Sequence, residues 1–270
     1  MPEISASLRP AAVAGMFYPG EAGRLAAEVR TMIADAERDD AAPPKAIVVP
    51  HAGYVYSGPI AALAYASLVP LRDTIERVVL FGPAHRVAVR GLATTTAAAF
   101  ATPLGDVPVD REAVARALLL PNVIASDAVH AHEHALEVQL PFLQSVLRRF
   151  SLVPFAVGHA APEAVADVMD ALWGGPETLV VVSSDLSHYH GYADARRLDR
   201  ATADAILALT PTLDHEQACG ATPVNALLLC ARRRGLVPRL LDLRNSGDTA
   251  GDRSRVVGYA SFAFAASATS

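Results

Sequence analysis

The chain predicts an α/β fold, a single domain whose central mixed, largely parallel β-sheet is sandwiched between helix layers. Two observations carry this. Short apolar, β-branched runs alternate with segments of helical periodicity, the pattern of strand–helix–strand units. Three of those runs also deliver a histidine beyond their ends, two of them after a proline stop.

Size and composition agree. The 270 residues suit one large domain or two small ones, and no linker or low-complexity stretch divides them. A hydrophobic content of 52% against 19% charged residues indicates a well-filled core. The formal net charge of -5, which no Lys/Arg run offsets, argues against nucleic acid as a partner. Apolar stretches are broken well short of a membrane span. Residues 1–10 lack a signal-peptide core, so a cytoplasmic location is expected. In that reducing setting a Cys219–Cys230 disulfide is not expected.

In chain order, residues 1–12 form a lead-in and Gly15–Gly20 a turn carrying Phe17 and Tyr18. Leu25, Val29, Met32, Ile33 and Ala36 fall at helical spacing over 21–38. A polar loop over 39–44 then leads to Ala46–Val49, a buried strand that Pro50 stops, leaving His51 at its mouth beside Gly53. Ser57-Gly58-Pro59 predicts a helix start, running to about Leu68. Arg77–Phe81 is the second buried strand, ended by Gly82-Pro83, with His85 two residues on. Residues 92–96 suggest a short strand and 102–110 a hairpin or extended loop; Asp110 caps a helix over 111–119.

Residues 128–139 carry His130, His132, His134 and Glu137. His134 and Glu137 are three apart, which on a helix gives them one face. Leu136, Leu140, Leu143 and Leu147 form the buried stripe, with Pro141 as a kink or restart. His130 and His132 are expected in a solvated loop. Ser151–Val157 is a third strand, and Pro162-Glu163 opens a helix with Val165, Val168, Met169 and Leu172 inward. Thr178–Val182 then empties into Ser183-Ser184-Asp185-Leu186-Ser187-His188. A polar-faced helix spans 193–209. Thr222 and Pro223 open another, with Cys219 just ahead and Cys230 in its core. Strands at 237–243 and 255–264, joined through the polar turn Asn245–Asp248, end the chain.

If the strands that deliver His51, His85 and Asp185/His188 are parallel neighbours, these side chains meet at one sheet edge, where ligands of open α/β sheets sit. Two imidazoles with an anionic third ligand make a metal site. Cys219, Asp185, Glu137 and Glu133 are the candidates for that third ligand, and a further histidine would be free to move a proton. No glycine-rich nucleotide loop and no nucleophile elbow is present.

Several blocks together resemble the MEMO family, whose bacterial and archaeal members are often called AmmeMemoRadiSam system protein B. They are Pro50-His51-Ala52-Gly53-Tyr54-Val55-Tyr56-Ser57-Gly58, Gly82-Pro83-Ala84-His85, Thr102-Pro103-Leu104-Gly105-Asp106, His134–Phe142 and Ser184–His188. Cys219-Gly220, Asn245–Asp248 and Val257–Ala260 extend the match to the C-terminus. The family is similar in fold to the class III extradiol dioxygenases, which use non-haem iron. The resemblance implies a metal pocket of His51, His85 and Cys219, with His188 and Asp185 as the catalytic pair. Tyr54, His134 and Glu137 are expected to bind substrate. Fe(II) is the expected metal. Cys219 stands where the dioxygenases have a carboxylate, which brings copper and zinc into consideration and weakens the case for ring cleavage. The resemblance also implies either oxidoreductase chemistry on an unknown small molecule or a non-catalytic adaptor role. A radical-SAM enzyme and a small companion protein of the same system are the suggested partners.

Overall fold

The computed structural model describes residues 7–36 and 42–267. The far end of the helix predicted to Arg38, the loop residues 39–41 and the first half of the lead-in lie outside them. In chain order the elements are β1 (Leu8–Arg9), α1 (Ala22–Asp35), β2 (Ala46–Val49), α2 (Tyr54–Ala66), β3 (Arg77–Pro83), β4 (Leu92–Thr94), β5 (Ala99–Thr102) and β6 (Gly105–Pro108). There follow α3 (Arg111–Ala117), β7 (Val123–Ala125), α4 (Asp127–His130), α5 (Leu140–Val146), β8 (Ser151–Val157), α6 (Pro162–Ala171), β9 (Thr178–Ser183) and β10 (His188–His190). Then come α7 (Tyr192–Leu207), α8 (Ala221–Arg234), β11 (Leu236–Asn245), α9 (Ser246–Thr249) and β12 (Val256–Ala266).

A nine-stranded sheet runs β10-β12-β2-β9-β3-β8-β4-β7, with β11 also paired to β12. Its centre, β2-β9-β3-β8, is parallel, and β12 and β4 join it antiparallel. The mixed, largely parallel sheet is therefore as expected. Helices α1, α2 and α5 pack together as one layer; α6 packs on α8, which lies against β3 and β9. A three-stranded sheet, β1-β5-β6, stands apart from the main one. Its β5–β6 hairpin resolves the open reading of 102–110.

Register aligns the central strands at their ends. Val49 pairs with Ser183, and Phe81 with Val182. His51, His85 and Asp185 thus leave the sheet at one edge. The strands deliver them there because four-residue apolar runs such as Ala46–Val49 bury on both faces and then stop. Between sheet and helices, Tyr65 stacks on Phe142 with ring centres 4.9 Å apart. Each such buried aromatic contributes roughly 1.5–3 kcal/mol through surface removed from water.

Two local expectations need correction. Helix α2 begins at Tyr54, a turn before the predicted Ser57-Gly58-Pro59 start. The Tyr54 amide donates to Phe17 O at 2.7 Å and the Ser57 hydroxyl donates back to Ala52 O at 3.0 Å, so tertiary bonds close the earlier turn. The stretch 131–136 is irregular rather than helical and Glu137–Gln139 is a 3₁₀ turn; of the two readings of Pro141 the restart holds, for it sits in the first turn of α5.

Candidate metal centre

His51 follows Pro50 at the end of β2 and is 2% exposed. Its backbone N–H donates to Asp185 Oδ1 at 2.7 Å, which ties the two loops together. Its Nδ1 lies 2.9 Å from Ser183 Oγ. The Ser183 hydroxyl already donates to Ala135 O at 2.6 Å, so Oγ acts as acceptor and Nδ1 carries the proton. Gln139 Nε2 donates to the same Oγ at 2.8 Å and to Pro50 O at 2.9 Å, and Tyr65 OH holds the Gln139 carbonyl oxygen. The His51 ring is thereby locked with the Nε2 lone pair directed away from its serine.

Glu133 does the same for His85. Its Oε1 receives the His85 Nδ1–H at 2.9 Å, and its Oε2 receives the His85 backbone N–H at 2.6 Å. The Ala135 amide adds a third bond at 2.9 Å. Burial raises the Glu133 pKa, but these bonds outweigh it and hold the carboxyl at about 2. A carboxylate behind a histidine sets the tautomer and raises the basicity of the opposite nitrogen, a recurrent arrangement behind metal-binding histidines.

His134 completes the cluster. It stacks on His85 with ring centres 4.8 Å apart and meets His51 edge-on at 5.4 Å. One nitrogen from each of His51, His85 and His134 lies within 4.8 Å of the others. His134 Nδ1 is buried without a hydrogen-bond partner; Glu133 Oε1, at 3.4 Å, lies out of bonding geometry. Burial, then charge repulsion from neighbouring imidazoles, lowers His51 to about 3 and His134 to about 4. These two rings are neutral at pH 7, the form that binds metal.

Cys219 Sγ lies 3.3 Å from His51 Nε2 and receives the Asp185 amide, also at 3.3 Å. Burial, then the Asp185 charge, pushes this thiol up to about 12, so it is protonated until a cation draws the proton off. A thiol ahead of a helix N-terminus feels the positive end of the dipole, which favours the thiolate, but at Cys219 burial outweighs this. Gly220 makes the approach possible: a Cβ there would stand 2.7 Å from Ser184 Cβ. Three imidazoles and one ionisable thiol on rigid supports fit a borderline or soft divalent cation.

The remaining expected site residues lie differently. Asp185 is buried, its pKa raised by burial despite the His51 amide bond. His188 is half-buried in the short edge strand β10 with its ring against Tyr189. Tyr54 is 3% exposed; its hydroxyl donates to Val138 O at 2.7 Å and its ring packs on Phe142 and Tyr18. Glu137 is wholly buried and accepts bonds from Arg9, the Ala12 and Val13 amides and the Tyr18 hydroxyl. Both residues therefore have their polar atoms taken up in holding the N-terminal segment and α2. His130, expected in a solvated loop, is buried in α4 with Nε2 bonded to Ala93 O at 2.9 Å; His132 is exposed.

A family model described as Memo-like protein matches residues 9–263. The chain belongs to this family. A MEMO1 family protein of Aquifex aeolicus is 34% identical, the match covering 95% of this chain and 99% of that protein. Another, of Methanopyrus kandleri, is 35% identical over 95% and 98%. Among solved structures, an uncharacterized Escherichia coli K12 protein shares the fold at a TM-score of 0.50 and 13% identity, covering 80% of this chain and 98% of its own.

Within the Memo-like pocket, Ser183 and Gln139 were not singled out from sequence, and Glu133 was weighed only as a ligand. The signal for Glu133 was its place beside His134 in a run otherwise poor in charge. Ser183 offered none, because its role depends on a partner 132 residues away.

Proposed function

We propose that this protein is a metal-dependent oxidoreductase of the extradiol-dioxygenase type, acting on a small chelating substrate. The carrying observation is the group of His51, His85 and His134, with the Cys219 thiol against it. Fe(II) is the first choice of metal, and copper or zinc are the rivals. His51 and His85 bind it through Nε2; Cys219, the family's expectation, and His134, from the geometry, complete the set. A ferrous ion supplies a redox centre open to a chelating substrate. Around it the chain's own groups have separate tasks. Ser183 and Glu133 hold the tautomers, Asp185 holds the His51 loop, and His188 at the edge takes or returns a proton. A cytoplasmic setting keeps Cys219 reduced. Membership of the family and the histidine group support metal binding; the oxidoreductase step rests on the resemblance to dioxygenases.

The test is metal analysis of protein purified without air, native beside His51→Ala and Cys219→Ala. Stoichiometric iron lost in both variants, followed by oxygen uptake when a panel of catechol-like compounds is opened to air, supports the reading. Native protein that stays empty when offered Fe(II), Cu(I) and Zn(II), or loaded protein silent across the panel, overturns it.

A second reading has its own observation. Met16 is 72% exposed beside a cavity lined by Phe17, Tyr18 and Tyr54, and Phe17 packs on His134 with centres 4.9 Å apart. A partner docking there, such as the radical-SAM enzyme suggested by the family, would cover the pocket mouth. Co-purification with that enzyme, lost on Met16→Asp, favours it; no complex counts against it.

A further inference from the structure

Helix α7 and the end of β11 enclose a second cavity of about 450 Å³, within the usual size of small-molecule pockets. Arg196, Arg197 and Arg200 line it from α7 and Arg244 from β11. Their charges are unevenly answered. Arg197 meets Asp194 at 3.1 Å, and Arg244 bonds to Asp242. Arg200 reaches Asp204 only at 4.0 Å. Arg196 has no carboxylate partner among the described residues and rests over the Tyr192 ring, 5.7 Å from its centre.

Two carboxylates also line the cavity, and both are engaged. Asp248 receives the Tyr192 hydroxyl and the Asn245 amide N–H. Asp199 is buried and receives the Ser187 amide at 3.0 Å, with burial raising its pKa. The balance facing the space is positive.

Asn245 is the second, independent observation. It is 1% exposed and lines the cavity. Its Oδ1 accepts the Gly247 amide at 2.9 Å, which fixes the orientation of the side chain. Its Nδ2 has no acceptor among the described residues. That nitrogen is free to donate to an acceptor in the cavity, and the neighbouring guanidiniums call for the same partner. Forked guanidinium donors match the oxygens of phosphate, and two phosphates match two forks.

We propose that this cavity binds a phosphorylated small molecule, its phosphate oxygens held by Arg196, Arg200 and the Asn245 amide. The volume exceeds what a bare phosphate fills, and the Tyr192 ring, against which Arg253 also rests at 4.4 Å, offers a rigid wall for the organic part.

Calorimetric titration of the whole protein with inorganic pyrophosphate tests the site. Saturable one-to-one binding is expected, weakened about tenfold or more in Arg196→Gln/Arg200→Gln. Asn245→Asp keeps the capping oxygen while removing the donor, and its binding should fall likewise. Arg72→Gln/Arg149→Gln removes the same charge from another cleft and should stay within about twofold. Thermal melting of each variant confirms that it is folded. No saturable binding by the native protein, equal loss in both arginine doubles, or preference for citrate over pyrophosphate would overturn the proposal.

Discussion

Glu133 and Glu137 lie four residues apart and are both buried, yet they serve different purposes. Glu133 faces His85 and Glu137 faces Arg9. Glu133→Gln leaves the His85 Nδ1–H an uncharged acceptor and weakens the hold on the ring. Metal affinity should fall about 10- to 100-fold with the fold retained; competition against a chelator of known affinity reads this. Glu137→Gln leaves Arg9 as a buried charge without its counter-charge. A loss of about 3–5 kcal/mol in urea unfolding is expected, with metal content per folded molecule unchanged. Metal lost in proportion to Glu133→Gln would instead return Glu137 to the pocket. The helical spacing of His134 and Glu137 had implied a shared face, but it holds only where a helix forms. The chain from 131 to 136 is irregular, so His134 turns to the imidazoles and Glu137 to the N-terminal segment.

At the scale of elements, the loop ahead of α8 brings Cys219 to His51. Gly220 lets it pass Ser184, and the Gly220 amide donates to Ser184 Oγ at 2.9 Å. In Gly220→Ala the added methyl meets the Ser184 Cβ and the Ser183 carbonyl. Neither is a flexible tip, so the loop must shift. A loss of about 1–3 kcal/mol is expected, and a thiolate-to-metal absorption band given by native protein loaded with Cu(II) or Co(II) should weaken. An unchanged band and melting temperature would show that the loop accommodates the methyl without moving Cys219. The strand ends behave more simply. Apolar runs stopped by Pro50 and Pro83 were legible as strands because burial on both faces leaves a continuous hydrophobic signature. The start of α2 was not, because Phe17 and Ala52 supply its first-turn partners from outside the local pattern.

Over the whole molecule, buried neutral histidines link stability to pH. His51 is lowered to about 3, and His130 and His134 to about 4, in each case by burial first. In the unfolded chain each titrates near 6.5. Above that value both states are neutral there and the contribution is full. As pH falls from about 6.5 toward 4 the unfolded chain takes up protons that the fold refuses, and stability declines. Urea unfolding of metal-free protein at steps from pH 7.5 to 4.5 should show this fall, and His130→Gln should make it shallower. A flat profile would mean that these rings are protonated in the folded protein. No helix among the described residues is long and apolar enough to cross a membrane.

The sequence by itself determined the fold class, the delivery of His51 and His85 at strand ends and the family, because periodicity, proline stops and the motif blocks are local in the chain. It brought His51, His85 and Cys219 under suspicion together. Tertiary structure alone decided that His134 joins them, that Ser183 and Glu133 set their tautomers, and that Tyr54 and Glu137 pack instead of facing the pocket. It also decided that four arginines and Asn245 share one cavity. Each of those outcomes depends on a hydrogen-bond or charge partner distant in the chain, and burial determines which polar groups must find one.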